Sequence, residues 1–266
     1  YVDGIPINEY CVQNKPSLNE RLHIFKQLCE AISYAHRNMV VHRDLKPGNI
    51  FVTNEGQIKV LDFSIAKLLD SSFSDQEMVQ TRTGLRLLSP TYCAPEQFRS
   101  APITTATDVY TLGLVLYEVL TDKKAIDGKN KTLMEIEKSI CASNFRHTLQ
   151  LPANIEQDLK AIIYKAIRIE PEYRYESAAQ LLHDIHRYEN NLPVSAQNDT
   201  VEYRVRKFIH RHKKGMATVA IFLITLLTLG GFYTTKIKQE RDKATMEANR
   251  AEATANFLIS IFSNAD

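Results

Sequence analysis

Between Leu18 and Ile32 the apolar residues return every three or four positions, at Leu18, Leu22, Phe25, Cys29 and Ile32, the spacing of a helix face turned to a core. Ser17 and Glu20 stand at its start as a capping box, so a buried helix is expected from there to about His36. The period then shortens. Val40-Val41, Ile50 to Thr53 and Gln57 to Leu61 read as short strands, the last two joined by a turn at Asn54-Glu55-Gly56. From Asp108 to Leu120 the apolar positions Val109, Leu112, Leu114, Val115, Leu116 and Val119 run almost all round a helix, which places it inside a core. Further helices are expected over Ile155 to Ile169, stopped by Pro171, and over Ser177 to Tyr188, before Pro193. The pattern predicts a mainly α domain with small β hairpins, ending near residue 193.

The next pattern is of another kind. No charged residue lies between Gly215 and Thr235, and at about 1.5 Å per residue that stretch is long enough to cross a hydrocarbon core of roughly 30 Å. Its flanks, "RVRKFIHRHKK" and "KIKQERDK", are basic and polar. Arg204, Arg206, Lys207, Arg211, Lys213 and Lys214 outnumber Lys236, Lys238, Arg241 and Lys243, which puts the N-terminal side in the cytoplasm. After the span comes an Ala/Glu/Lys/Arg-rich helix that turns apolar at Phe257, Leu258, Ile261 and Phe262, as if to dock on a further domain. The expected organisation is a helical domain over 1–193, a basic juxtamembrane linker over 194–214, a transmembrane helix over 215–235 and the start of a helical region over 236–266.

Composition narrows the chemistry only a little. The 266 residues are 44% hydrophobic and 24% charged, an ordinary globular balance. A net charge of +2, with aromatic residues spread through the domain, argues against a nucleic-acid partner. Cys11, Cys29, Cys93 and Cys141 form no paired or zinc-like spacing and read as reduced thiols. Most of the eight histidines are expected at solvated positions, with His42 packed beneath a loop. The opening on Tyr1 suggests a piece of a longer protein.

The run "HRDLKPGNIFVTNEGQIKVLDFS" concentrates what phosphoryl transfer requires. That reaction needs a group to orient a hydroxyl and take its proton, a cation near the moving phosphate, and oxygen ligands for magnesium. Asp44, Lys46, Asn49 and Asp62 supply them. His42 to Asn49 resembles the catalytic loop of eukaryotic-type (Hanks-type) Ser/Thr protein kinases, and Asp62-Phe63-Ser64 resembles their magnesium-binding DFG, thirteen residues beyond Asn49. Ala94-Pro95-Glu96, Asp108-Val109-Tyr110-Thr111-Leu112-Gly113 and Arg174 follow in the order of that family.

The resemblance covers Tyr1 to about Tyr188 and implies a kinase large lobe from the hinge onward, with the small lobe missing. It implies Asp44 as base, Lys46 as phosphate contact, Asn49 and Asp62 as Mg2+ ligands, and the backbone at Val2 as a contact for the adenine of ATP. It further implies that Arg43 pairs with a phosphorylated activation-loop residue, for which Thr81 and Thr83 are preferred, and that Ser89 stands where substrate docks. Glu96, Asp108 and Arg174 are expected to be structural: Glu96 and Arg174 as an ion pair, Asp108 bonded to backbone near Arg43. Two departures stand out. Ser64 replaces the glycine of DFG, and a Cβ there costs about 1–2 kcal/mol if φ is positive. No Gly-rich loop, strand lysine or partner glutamate precedes Tyr1, so the isolated chain is expected to bind ATP poorly and to be inactive.

With the span and trailing helix added, the chain resembles bacterial membrane-anchored Ser/Thr kinases. That implies protein substrates bearing Ser or Thr in the cytoplasm, a single-pass anchor in the cell membrane, and a protein or other ligand on the far side, bound by a C-terminal domain. Gly230-Gly231 would permit a dimer through the span, although no spaced small-residue motif accompanies it. The alternative is a pseudokinase that serves as a membrane scaffold.

Overall fold

The computed structural model describes residues 3–63 and 89–263. They fall into two compact units, one through Lys207 and one from Phe208. In the first, β1 (Ile5–Pro6), β2 (Ile50–Val52) and β3 (Ile58–Val60) form an antiparallel sheet in that order, with Ile5 opposite Val52 and Ile50 opposite Val60. Gly56, at φ 75°, takes the left-handed position of the β2–β3 turn without a Cβ penalty. Val40-Val41 is not a strand. Met39 turns left-handed at φ 59° and the Val40 N–H closes on the Ala35 carbonyl at 2.9 Å, so the segment ends a helix and its donor is spent. The third strand comes instead from Ile5–Pro6, and Pro6 is tolerated because β1 is an edge.

Helices α1 (Ile7–Asn14) and α2 (Leu18–Arg37) follow β1. The Ser17 hydroxyl accepts the Glu20 N–H, and the Glu20 carboxylate accepts the Ser17 N–H at 2.7 Å, the capping box read from sequence. After the sheet come α3 (Pro95–Phe98), α4 (Thr105–Thr121), α5 (Leu133–Ile140), α6 (Phe145–Thr148), α7 (Gln157–Ala166) and α8 (Ala178–Glu189). Helix α4 is the centre of the core, buried from Ala106 through Val119 and packed against α2, α7 and α8. Gly113 lets α4 approach the end of α7, since a Cβ there would stand 2.7 Å from Ile167 Cγ2 and 2.8 Å from Ala166 Cβ. Helix α7 is shorter than the expected Ile155 to Ile169, because Ile167 already lies outside the helix as its C-cap.

The first unit extends past residue 193. Ser195 and Ala196 donate their N–H groups to Asp184 at 2.8 and 3.0 Å, and α9 (Val201–Arg211) buries Tyr203 and Lys207. In the second unit, α10 (Lys213–Ser263) is one unbroken helix. By length and composition it is long and apolar enough to cross a membrane, and its apolar stretch is not buried against the chain.

Candidate active site

The loop from His42 to Asn49 is held from below by Asp108, at the start of α4. The two Asp108 carboxylate oxygens accept the N–H groups of His42 and Arg43 at 2.8 and 2.9 Å. His36 Nε2 lies 2.8 Å from the same carboxylate, with both side chains nearly closed to solvent. These bonds matter because Arg43 sits at φ 70°, a left-handed conformation that costs a non-glycine residue about 1–2 kcal/mol. The Arg43 carbonyl is fixed from the other side by Gln97 Nε2 at 2.9 Å, and Gln97 Oε1 in turn accepts the Ala94 N–H at 2.8 Å. Arg43, the strained residue before Asp44, is therefore held at both its N–H and its carbonyl.

The same loop positions Asp62. Leu61 donates its N–H to the Asn49 carbonyl at 2.8 Å, and its own carbonyl lies 3.0 Å from His42 Nε2. The His42 ring is wholly buried and meets Phe63 at 4.6 Å between centroids. Leu61 is thus bracketed, and Asp62 is the next residue along, exposed and at φ 57°. On the opposite flank, Lys46 Nζ contacts Asp44 Oδ2 at 2.9 Å, with both side chains partly open to solvent. Asn49 is buried, and its Nδ2 donates to the Asp44 carbonyl at 2.9 Å. That leaves Asn49 Oδ1, the atom type magnesium prefers.

Of the residues singled out in the sequence, Asp44, Lys46 and Asn49 thus meet through hydrogen bonds, and Asp62 joins them through Leu61. Glu96 and Arg174 meet in two contacts of 2.7 Å. Ser89 lies at the edge of the described segment, its carbonyl accepting the Tyr92 N–H at 3.0 Å. No hydrogen bond joins it to Asp44 or Lys46 among the described residues. Val2, Ser64, Thr81 and Thr83 lie outside the described residues.

Three positioning residues escape the sequence reading. The His36 side chain is nearly closed to solvent against Asp108 rather than solvated as expected for most histidines. Gln97 is a polar residue in a run already explained by Glu96, and nothing local marks its reach to Arg43. Tyr92 gives its hydroxyl to Glu118 Oε2 at 2.5 Å, tying the segment after Ser89 to the end of α4. Burial lifts the Glu118 carboxyl above its ordinary pKa, and the Tyr92 hydrogen bond pulls the other way. The Tyr92 hydroxyl is itself pushed up, first by burial and then by the neighbouring carboxylate.

A buried carboxylate holding a strained loop from His42 to Asn49, a chain crossing from Asn49 to Leu61 just before Asp62, and a helical core around α4 have the form of the large lobe of a protein kinase fold. Comparison with known proteins agrees: residues 1–186 match the family model described as protein kinase domain. The chain belongs to that family. It is 37% identical over 188 residues to the serine/threonine-protein kinase PrkC of Bacillus subtilis, covering 70% of this chain and 28% of that protein. It is 31% identical over 200 residues to the serine/threonine-protein kinase PknB of Mycobacterium tuberculosis, covering 74% of this chain and 30% of that one. A third relative, PknB of Mycolicibacterium smegmatis, is 30% identical over 189 residues, 70% of this chain and 29% of its own. The chain therefore spans less than a third of the length of these relatives.

Proposed function

We propose that this chain carries the catalytic lobe of a transmembrane Ser/Thr protein kinase that transfers the γ-phosphate of Mg-ATP to hydroxyls of protein substrates. The observation that carries this reading is the hydrogen-bonded convergence of Asp44, Lys46 and Asn49, with Leu61, the residue before Asp62, bonded to Asn49. In this reading Asp44 orients the attacking hydroxyl and accepts its proton, and the Lys46 ammonium balances charge on the transferred group. Asn49 Oδ1 and the Asp62 carboxylate would hold magnesium, which neutralises phosphate charge.

Helix α10 is the proposed single membrane span, and the excess of cations before it supports a lobe on the cytoplasmic side. The order of parts belongs to the same proposal: the lobe, a basic segment whose residues up to Lys207 pack with the lobe, the span, and the start of a further helical region. A regulatory phosphate on Thr81 or Thr83, paired with Arg43, belongs to the same proposal, as does adenine contact at Val2 and substrate docking at Ser89. Dimerisation through the span and a ligand on the far side complete it.

The test is transfer of labelled phosphate from ATP with magnesium by the full-length protein, beside Asp62→Asn and Ser64→Gly. Labelling by the parent and its loss in Asp62→Asn supports the enzyme. A second reading, a catalytically silent membrane scaffold, is favoured by Ser64 following an Asp already held at φ 57°. Labelling only in Ser64→Gly would mean that the serine has silenced the fold, and no labelling in any of the three supports the scaffold.

A further inference from the structure

Helix α9 has two faces, and the lobe uses only one. On that face Lys207 pairs with Asp158, lies 5.8 Å from the Tyr188 ring centroid and is 9% exposed. One turn earlier, the Tyr203 hydroxyl accepts the Val194 N–H at 3.0 Å. On the opposite side Val201, Val205, Phe208 and Ile209 are 79%, 49%, 52% and 43% exposed. At 3.6 residues per turn these four fall within an arc of about 100° on the helix circumference. Four large apolar side chains on one side of a short helix form a stripe rather than scattered exposure.

Most residues around the stripe are basic, with Glu202 between Ile209 and Arg206 on one edge. Arg204 and Arg211 border it on one edge and Arg206 lies beyond the other. Lys213 and Lys214 follow directly, and Asp199 and Glu202 are the only carboxylates between 199 and 214. Asp199 is taken by Arg204. An apolar stripe with cationic borders is the pattern of a helix lying in the boundary between lipid headgroups and acyl chains. The chain itself supplies that surface, because the helix able to cross a membrane opens at Lys213, two residues after α9 ends.

We propose that α9 lies in the membrane interface, with Val201, Val205, Phe208 and Ile209 in the lipid and its cations on anionic headgroups of the same bilayer that α10 crosses. This rests on the transmembrane reading above. Tyr203 and Lys207 face away from that side and are bonded within the first unit, to Val194 and Asp158.

The test uses the full-length protein in vesicles of phosphatidylcholine with and without phosphatidylglycerol, with Cys141 replaced by serine and single environment-sensitive labels at Phe208→Cys, Arg206→Cys and Thr225→Cys. The expected result is a label at 208 quenched by lipid-borne quenchers and reduced by aqueous dithionite at least about tenfold more slowly than the label at 206, the more so with anionic lipid. A second variant, Val205→Asp with Ile209→Asp, is expected to abolish the shielding at 208 while far-ultraviolet circular dichroism stays unchanged. If the labels at 208 and 206 react equally while that at 225 stays protected, α10 spans and the inference about α9 is overturned. If the label at 225 also reacts with dithionite, the transmembrane reading itself has failed, and this inference with it.

Discussion

Arg174 meets Glu96 through two parallel contacts of 2.7 Å, Nη1 to Oε1 and Nη2 to Oε2, with the Arg174 side chain wholly buried and Glu96 4% exposed. The remaining guanidinium donors are taken by the carbonyls of Ala106, Ile169 and Arg168, and Glu96 Oε1 also accepts the Thr107 hydroxyl. A pair this fully hydrogen-bonded is tolerated in a core because no charge or donor is left unanswered. Removing one partner strands the other. Arg174→Met is expected to cost about 3–5 kcal/mol, read from the urea midpoint. The double variant Arg174→Met with Glu96→Leu should cost clearly less than the sum of the single changes, because no stranded charge remains.

Asp108 serves two backbone donors and one imidazole at once. Asparagine has the same shape but replaces one acceptor oxygen by an NH2 group, so Asp108→Asn leaves a buried N–H of the catalytic loop unpaired, at about 1–3 kcal/mol. Arg43 then loses part of what holds it at φ 70°. Phosphate transfer by the full-length protein is expected to fall mainly in kcat, with KM for ATP little changed, because Asp44 is displaced rather than the nucleotide contacts. A purely thermodynamic defect, with full kcat at low temperature, would contradict this.

Cysteine reactivity offers a check that needs no activity. Burial pushes the Cys11 thiol up to about 11, with Arg21 opposing and Asp122 adding to the rise. Burial raises Cys29 further still. Alkylation requires the thiolate and access to it, so at pH 8 iodoacetamide should leave both unmodified in the folded protein and modify both after denaturation. Mass spectrometry of the digested chain reads this directly, and native labelling of Cys29 would show that α2 is not packed as described.

Glu118 predicts a pH dependence of stability. Its carboxyl is raised above 4.5 in the fold, burial being the largest cause, so the native state binds that proton more tightly than the unfolded chain does. Its contribution is therefore complete below 4.5 and is lost as pH climbs through the raised value. Unfolding free energies measured from pH 4 to 7 should show the parent losing stability relative to Glu118→Gln over that rise. The reverse slope would mean that the Tyr92 hydrogen bond outweighs burial.

Legibility differed from element to element for physical reasons. The α2 start was readable because a capping box is closed by side chains three residues apart, and α4 because an all-round apolar run has few places to go but a core. Val40-Val41 misled because a β-branched dipeptide does not reveal that its amide has been taken by a helix end. The edge strand Ile5–Pro6 was missed because two residues hold no period and proline argues against a strand unless the edge is known. Residues 194–214 read as a linker because their cations dominate the pattern, although Tyr203 and Lys207 carry a helical spacing that finds partners on the lobe.

By itself the sequence determined the kinase family, the order of its motifs, the helical majority and one stretch long and apolar enough to span a bilayer. All of these are set by residue types at short, regular separations, where covalent geometry alone brings side chains together. Only the tertiary structure decided that Asp108 and Gln97 together hold Arg43 in its left-handed conformation, that the His36 ring meets Asp108, and that Lys207 is bonded to Asp158. Those partners stand between 49 and 72 residues apart in the chain. Their meeting is fixed by how the helices pack around α4, and no local pattern of polar and apolar positions encodes that distance.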